Sequence, residues 1–305
     1  MTATTRESPH IAHRYADLGD VRLHYVEAGS GPLVVLLHGF PEFWYSWRLQ
    51  LPALAAAGFH VVAPDMRGFN WSDKPPGVQS YRVEVLARDV ERLIRACGAT
   101  RAAVVGHDWG AIVAWWCAML YSERLARLAI LNVPHPAYTV EPGLMRAAGV
   151  PPWRQLLRSW YVFFFQLPWL PEAMLRAGGF AALRHTLRRD PVRSDAFTEE
   201  DIDRYVEALA QPGALTATIN YYRALVRRNP LGLRARLRRI EAPVLVIWGE
   251  RDRYLEAGLA TPPRRWVPNA RVERLPDASH WVQLDRPERV NALLLEFLSP
   301  LTPSS

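Results

Sequence analysis

Five short apolar runs constrain this chain more than anything else in it. Leu33-Val34-Val35-Leu36-Leu37 ends at His38-Gly39, the run from His60 to Ala63 ends at Pro64-Asp65, and Ala102 to Val105 ends at Gly106. Ala129 to Leu131 ends at Asn132, and Val244 to Trp248 ends at Gly249. A strand that is apolar at every residue is covered on both faces, as in parallel sheets packed between helices. Ser46 to Ala57, Val83 to Cys97 and Gly110 to Leu120 lie between those runs and have helix length and composition. The expected fold is therefore α/β, with a mostly parallel central sheet flanked by helices. Val21 to Glu27 adds an alternating strand near the start. Ligand sites in such sheets lie at the carboxyl ends of the strands, where the polar residues just named fall.

The rhythm stops after Asn132. From about Pro134 to Asn229 the chain reads as helical, with proline breaks and many aromatics, among them Trp153, Trp160, Tyr161, Phe163, Phe164, Phe165 and Trp169. Strand–helix alternation resumes at Pro243 to Trp248. This pattern predicts a helical cap at 134–229, inserted between two parts of one core at 1–133 and 230–305. Only the end, Leu301-Thr302-Pro303-Ser304-Ser305, reads as a loose tail.

Half of the 305 residues are apolar, enough to bury a sizeable core. The formal charge of +7 is carried almost wholly by arginine, since Lys74 is the only lysine. Those arginines are scattered except between Arg223 and Arg239, and no nucleic-acid-binding module accompanies them, so no nucleic-acid partner is expected. Cys97 and Cys117 are too few for a disulfide framework and read as buried thiols. The N-terminus lacks a basic-then-apolar signal pattern, and no apolar run approaches the ~20 residues of a membrane span. A cytoplasmic monomer or homodimer with no membrane partner is the expectation. No His/Cys cluster has ligand spacing, so neither a metal nor another cofactor is expected.

The segment Val104-Val105-Gly106-His107-Asp108-Trp109-Gly110-Ala111 follows a strand and precedes a helix, in the pattern Gly-x-nucleophile-x-Gly. A turn this tight forces the central residue into unusual dihedrals, and side chains at the flanking glycines would strike the neighbouring strand and helix. The alternative for Asp108 is a simple helix N-cap, a position Asp favours. As a nucleophile, a carboxylate narrows the chemistry. Serine attacking a saturated carbon would form an ether that a catalytic triad cannot hydrolyse. A carboxylate attacking the same carbon forms an ester, which water can cleave at the carboxyl carbon of Asp108. The substrate then carries its leaving group, an epoxide oxygen or a halide, on saturated carbon.

Ester cleavage needs a base and an acid to orient it. His280 lies in Asp277-Ala278-Ser279-His280-Trp281, after a strand expected at Val272 to Leu275 and before a helix expected at Pro287 to Leu298. Asp252, in Gly249-Glu250-Arg251-Asp252-Arg253, follows the strand ending at Trp248 and would hold the imidazole tautomer. Glu250 competes for that role, whereas the other strand end offers only neutral Asn132. An oxyanion hole is also required, with the backbone N–H of Trp109 and that of Phe40 in His38-Gly39-Phe40-Pro41 as donors. A cis Phe40–Pro41 bond would point that amide inward, with His38 bracing the loop.

Several longer stretches carry a resemblance. HGFPEFWYSWR at 38–48, APDMRGFNWSDKP at 63–75, GHDWGA at 106–111 and SHWVQLDRPERVN at 279–291 resemble epoxide hydrolases of the α/β-hydrolase fold, as do SWYVFFFQLP at 159–168 and PGALTATINYYRAL at 212–225. The order nucleophile, acid, histidine agrees with that fold. The resemblance implies two cap tyrosines that hydrogen-bond the epoxide oxygen and protonate it as the ring opens. By position in the motifs these are Tyr161 and Tyr222; Tyr221 is the competing neighbour, set aside because the family pattern puts an aromatic before the acid tyrosine. His38, Pro41, Trp109 and Phe165 are the implied substrate contacts, and the implied substrate is a small apolar epoxide. Asn70 and Trp71 depart from the family where glycine is common, and Ala111 replaces a frequent glycine after the elbow.

Haloalkane dehalogenases share the fold, the Asp nucleophile and often HDWG, so the elbow does not discriminate. A halide leaves without a proton, and the tyrosine pair therefore favours the epoxide. A non-catalytic ligand-binding α/β-hydrolase is the reading from another class; nucleophile, acid, histidine and both tyrosines being present speaks against it.

Overall fold

The structure, a computed structural model, describes residues 10–141 and 143–301. Of the expected tail, Leu301 ends a 3-10 turn and residues 302–305 lie outside the described residues. Eight strands, β1 (Ala12–Asp17), β2 (Arg22–Ala28), β3 (Leu33–Leu37), β4 (His60–Pro64), β5 (Ala102–His107), β6 (Leu125–Leu131), β7 (Val244–Gly249) and β8 (Ala270–Leu275), form one sheet. Their spatial order is β1-β2-β4-β3-β5-β6-β7-β8, and only the β1–β2 and β2–β4 pairs are antiparallel.

The continuous apolar runs have the expected cause. In β3, Val34 and Leu36 share a core with Leu54 and Phe297, whereas Leu33, Val35 and Leu37 share one on the opposite face with Leu86, Val113 and Tyr221. Three helices near the front of the chain are α1 (Leu51–Ala56), α2 (Val83–Ala96) and α3 (Trp109–Leu120). The helix expected from Ser46 to Ala57 is shorter. A 3-10 turn occupies Trp44–Trp47, and α1 begins beside Pro52, whose missing N–H is tolerated only in a first turn. Strand β1 was not anticipated, because it is a largely exposed edge whose pairing with β2 relies on backbone hydrogen bonds and leaves little apolar pattern.

Between β6 and β7 the described residues form helices and turns with no strand. Two elements there matter for the site: the short helix Trp160–Phe164 and the helix Ala214–Val226. Four of the seven arginines between Arg223 and Arg239 are taken up in ion pairs. Arg223 meets Glu172 at 2.7 Å, Arg228 and Arg236 both meet Glu84, and Arg239 meets Glu241 at 2.6 Å. Asn70 adopts a φ of 40°, in the left-handed region where glycine is the usual residue and Asn a tolerated one, and its amide donates to Asp65 Oδ2 at 2.8 Å. The departure from glycine thus keeps the backbone shape of that loop. Cys97 and Cys117 are free, half-buried and buried, and burial pushes their thiols up to about 11 and about 12 respectively.

Candidate active site

Asp108 follows β5 directly and opens α3, with φ 49° and ψ −121°. Its flanking glycines are required by close approach: a Cβ on Gly106 would come within 2.5 Å of the Gly110 carbonyl oxygen, and one on Gly110 within 2.1 Å of that of Leu37. The side chain of Asp108 makes no N-cap hydrogen bond to its own helix. Its Oδ1 instead accepts the N–H of Phe40 at 2.7 Å, and its Oδ2 lies 3.5 Å from His280 Nε2. The Phe40–Pro41 bond is cis.

His280 Nδ1 lies 2.7 Å from Asp252 Oδ2, both groups being buried. The Asp252 carboxylate accepts three further hydrogen bonds: Asn132 Nδ2 at 2.8 Å on Oδ2, and the backbone N–H groups of Tyr254 and Leu255 at 2.7 and 2.9 Å on Oδ1. Burial alone would raise the pKa of both aspartates. For Asp252 the charge and hydrogen bond of His280 outweigh it, as they do for Asp108 with added help from His107 and the Phe40 amide, so both are held below the ordinary carboxylate value. Burial likewise disfavours the charged imidazole of His280, but Asp252 and Asp108 together raise it well above its ordinary value. Glu250, the competing acid, pairs instead with Arg274 at the surface.

The helical segment adds the remaining side chains. The rings of Tyr161 and Tyr222 meet edge-on with centroids 5.9 Å apart, and Phe165 packs 4.9 Å from Tyr222 and 5.7 Å from Phe40. Trp109 closes the group from the elbow, 5.0 Å from Tyr222. Burial, then the charge of Asp108, pushes both phenols well above their ordinary value. Tyr221 points elsewhere. Its hydroxyl donates to the Arg67 carbonyl at 2.6 Å, and its ring packs on Phe69 and Tyr81.

His38 does not offer polar atoms to a ligand, contrary to the expected substrate contact. It is wholly buried, its Nδ1 lies 2.9 Å from the Gly39 carbonyl and its Nε2 accepts the Met66 N–H at 3.0 Å, so it braces the loop. Pro41 is also buried.

Other contributors escaped the sequence. Asn132, a neutral residue that carries no charge to orient an imidazole, nevertheless holds Asp252 and accepts the Gly249 N–H at 2.8 Å. Behind the site lies a buried polar group. His107 reaches the His280 carbonyl at 2.8 Å and Glu42 Oε2 at 2.8 Å, Glu42 accepts the Gly39 N–H at 2.9 Å, and Gln283 donates to Glu42 at 3.2 Å. Both histidine and glutamate sit inside motifs, GHDWGA and HGFPE, but nothing in one dimension links them. Tyr254 packs 5.2 Å from His280 and 5.8 Å from Tyr161, tying the two halves of the site together. Among the described residues no group of His, Cys, Asp and Glu could hold a metal ion, and no helix is long and apolar enough to cross a membrane.

The profile of a family described as alpha/beta hydrolase fold matches residues 32–287. The human protein named epoxide hydrolase 4 is 38% identical over 300 residues, covering 96% of this chain and 80% of its own length. The chain is an α/β hydrolase of the epoxide hydrolase family. A Bacillus subtilis protein named AB hydrolase superfamily protein YfhM is 43% identical to this α/β hydrolase over 93% of the chain and 97% of its own length. The crystal structure of epoxide hydrolase A from Mycobacterium thermoresistibile superposes with a TM-score of 0.76 at 34% identity, covering 95% of this chain and 98% of the other.

Proposed function

We propose that this α/β hydrolase converts an apolar epoxide and water to a vicinal diol through a covalent ester on Asp108. The observation that carries the reading is the pair of phenols, Tyr161 and Tyr222, facing each other and both under the influence of the Asp108 charge. An epoxide oxygen leaving as an alkoxide needs such donors, and a halide does not.

In the first step Oδ2 of Asp108, the oxygen not held by Phe40, attacks an epoxide carbon. The carbon–oxygen bond of the ring breaks, and one phenol gives its proton to the departing oxygen while the other hydrogen-bonds it. The products are a hydroxyalkyl ester and a phenolate. Because their pKa values are raised, the phenols remain protonated at neutral pH and give up a proton only as charge grows on the epoxide oxygen.

Esterification neutralises Asp108, one of the two carboxylates that raise the His280 pKa. The imidazole then becomes a base, held in place by Asp252. It takes a proton from water as that water attacks the carboxyl carbon of Asp108, and the negative charge on Oδ1 is met by the N–H of Phe40, which already donates to that oxygen, with the N–H of Trp109 as the second proposed donor. Collapse releases the diol and restores the carboxylate, and the proton left on His280 balances the one the phenolate must regain.

The test is mass spectrometry of the intact protein during single turnover of a styrene oxide-type substrate. The parent is expected to form diol, His280→Gln to accumulate an adduct of one substrate mass on Asp108, and Asp108→Ala to do neither. Halide release from a haloalkane, without diol from the epoxide, would assign the site to dehalogenation.

A further inference from the structure

Nine of the thirteen exposed large apolar side chains among the described residues lie between positions 153 and 174. Trp153, Leu157, Trp160 and Phe163 recur at helical spacing over the short helices Pro152–Arg158 and Trp160–Phe164, each more than half exposed. Gln155 and Phe165 in the same stretch are buried, and Tyr161 faces Tyr222, so the stripe is the side turned away from the chemistry. Trp169, 81% exposed, and Met174 extend it. A protein surrounded by water seldom presents so many large apolar groups together unless something covers them.

The helices that contain and flank this stripe are net basic. Residues 144–189 contain seven arginines and one acid, Glu172, and acids outside this span, Glu256, Asp203 and Glu199, pair with four of the seven. Glu172 is paired with Arg223, and Arg154 and Arg158 share Glu256 of the loop after β7. Arg184 and Arg188 meet Asp203 and Glu199, while Arg146, Arg176 and Arg189 form no ion pair among the described residues.

We propose that this outward face docks on the surface of an anionic phospholipid bilayer, with its tryptophans at headgroup level and its arginines against the lipid phosphates. Exposed Trp, Leu and Phe in a stretch of short helices that also carries exposed, unpaired arginine are the composition of segments that lie in a membrane interface. A second copy of this chain fits the face less well, since a two-fold dimer would set the same positive surface against itself. The expectation of no membrane partner rested on the lack of a spanning run, and lying on a bilayer requires none. Trp160 and Phe163 share a helix with Tyr161, so docking would hold the site beside the phase in which apolar epoxides dissolve. That consequence rests on the proposed chemistry; the docking itself does not.

The test is flotation of the full chain with phosphatidylcholine vesicles prepared with and without phosphatidylglycerol, across a range of salt. The parent should float with the anionic vesicles, less so as salt rises, and remain behind with phosphatidylcholine alone. Trp153→Ser with Phe163→Ser, and separately Arg146→Glu with Arg176→Glu, should each weaken partition by roughly tenfold or more. All four side chains are exposed, so the thermal melts of these variants should match the parent. Absence of flotation with anionic vesicles, or variants that float like the parent, would overturn the proposal. Sedimentation of the parent as a dimer that Trp153→Ser with Phe163→Ser dissolves would assign the face to a second copy instead. The readout is independent of turnover, so an inactive enzyme that floats, or an active one that does not, separates this proposal from the epoxide chemistry.

Discussion

The sheet edge and the helical segment above it hold their site residues by different means. At the sheet edge, Asp108, Asp252 and His280 follow β5, β7 and β8, and hydrogen bonds fix each one; Asp252 alone accepts four. In the helical segment, Tyr161, Phe165 and Tyr222 are placed by edge-on ring contacts and by Arg223. That arginine donates to the Phe165 and Leu167 carbonyls at 3.0 and 2.8 Å as well as pairing with Glu172. Hydrogen-bonded carboxylates tolerate little displacement, whereas packed rings can be re-shaped by substitution around them. The proposed ester chemistry, common to epoxides and halides, thus lies on the rigid side. The proposed choice of leaving group lies on the packed side.

The largest effect that would sharpen this contrast is expected from Asp252→Asn. Loss of the charge that orients His280 should slow ester hydrolysis roughly 10³- to 10⁴-fold while leaving ester formation nearly intact, as read by burst kinetics. The same variant tests the electrostatics. Hydrolysis needs neutral imidazole, Asp252 raises the His280 pKa, and its removal lowers that pKa, so the acid limb of ester decay should move to lower pH. A limb that stays put would remove His280 as the titrating base.

Next in size are Tyr161→Phe and Tyr222→Phe. Each should slow ring opening about 10²-fold or more and the double variant should abolish it, with no change in ester decay. Tyr221→Phe should leave ring opening unaffected, because its hydroxyl is engaged with Arg67. The parent's alkaline limb of kcat/KM should lie above the ordinary phenol value of ~10. An alkaline limb near neutrality would contradict the phenols as acids.

The smallest effect concerns the brace. Arg223→Met leaves Glu172 without its partner and two carbonyls without a donor, and should lower stability by about 2–4 kcal/mol in denaturant titration. If the helical segment depends on this arginine, ring opening should fall more than ester decay. Equal loss of both steps would show that the two regions are not held independently.

Much of this was legible in one dimension because it follows from short-range rules. Doubly covered strands must be apolar at every residue, and the elbow needs small residues on either side of Asp108. The order of β5, β7 and β8 along the chain puts their loops at one edge of a parallel sheet. The alternation of Leu33 to Leu37 between two cores and the 2.5 and 2.1 Å clearances at Gly106 and Gly110 are the physical content of those patterns.

Other features belong to the tertiary structure alone. Edge strand β1 has no apolar signature, since its partner is a backbone. Asn132, Glu42, His107 and Gln283 come from separate strands, loops and helices, and their contacts depend on sheet order rather than spacing. Tyr221 and Tyr222 are adjacent in sequence and equal in chemistry, and only helix rotation sends one hydroxyl to the Arg67 carbonyl and turns the other ring toward Tyr161 and Phe165. The sequence alone determined that a carboxylate stands on the elbow. Which further side chains support it was decided by packing, because contacts across many positions, such as Glu42 to His107 and Asn132 to Asp252, leave no mark in either neighbourhood.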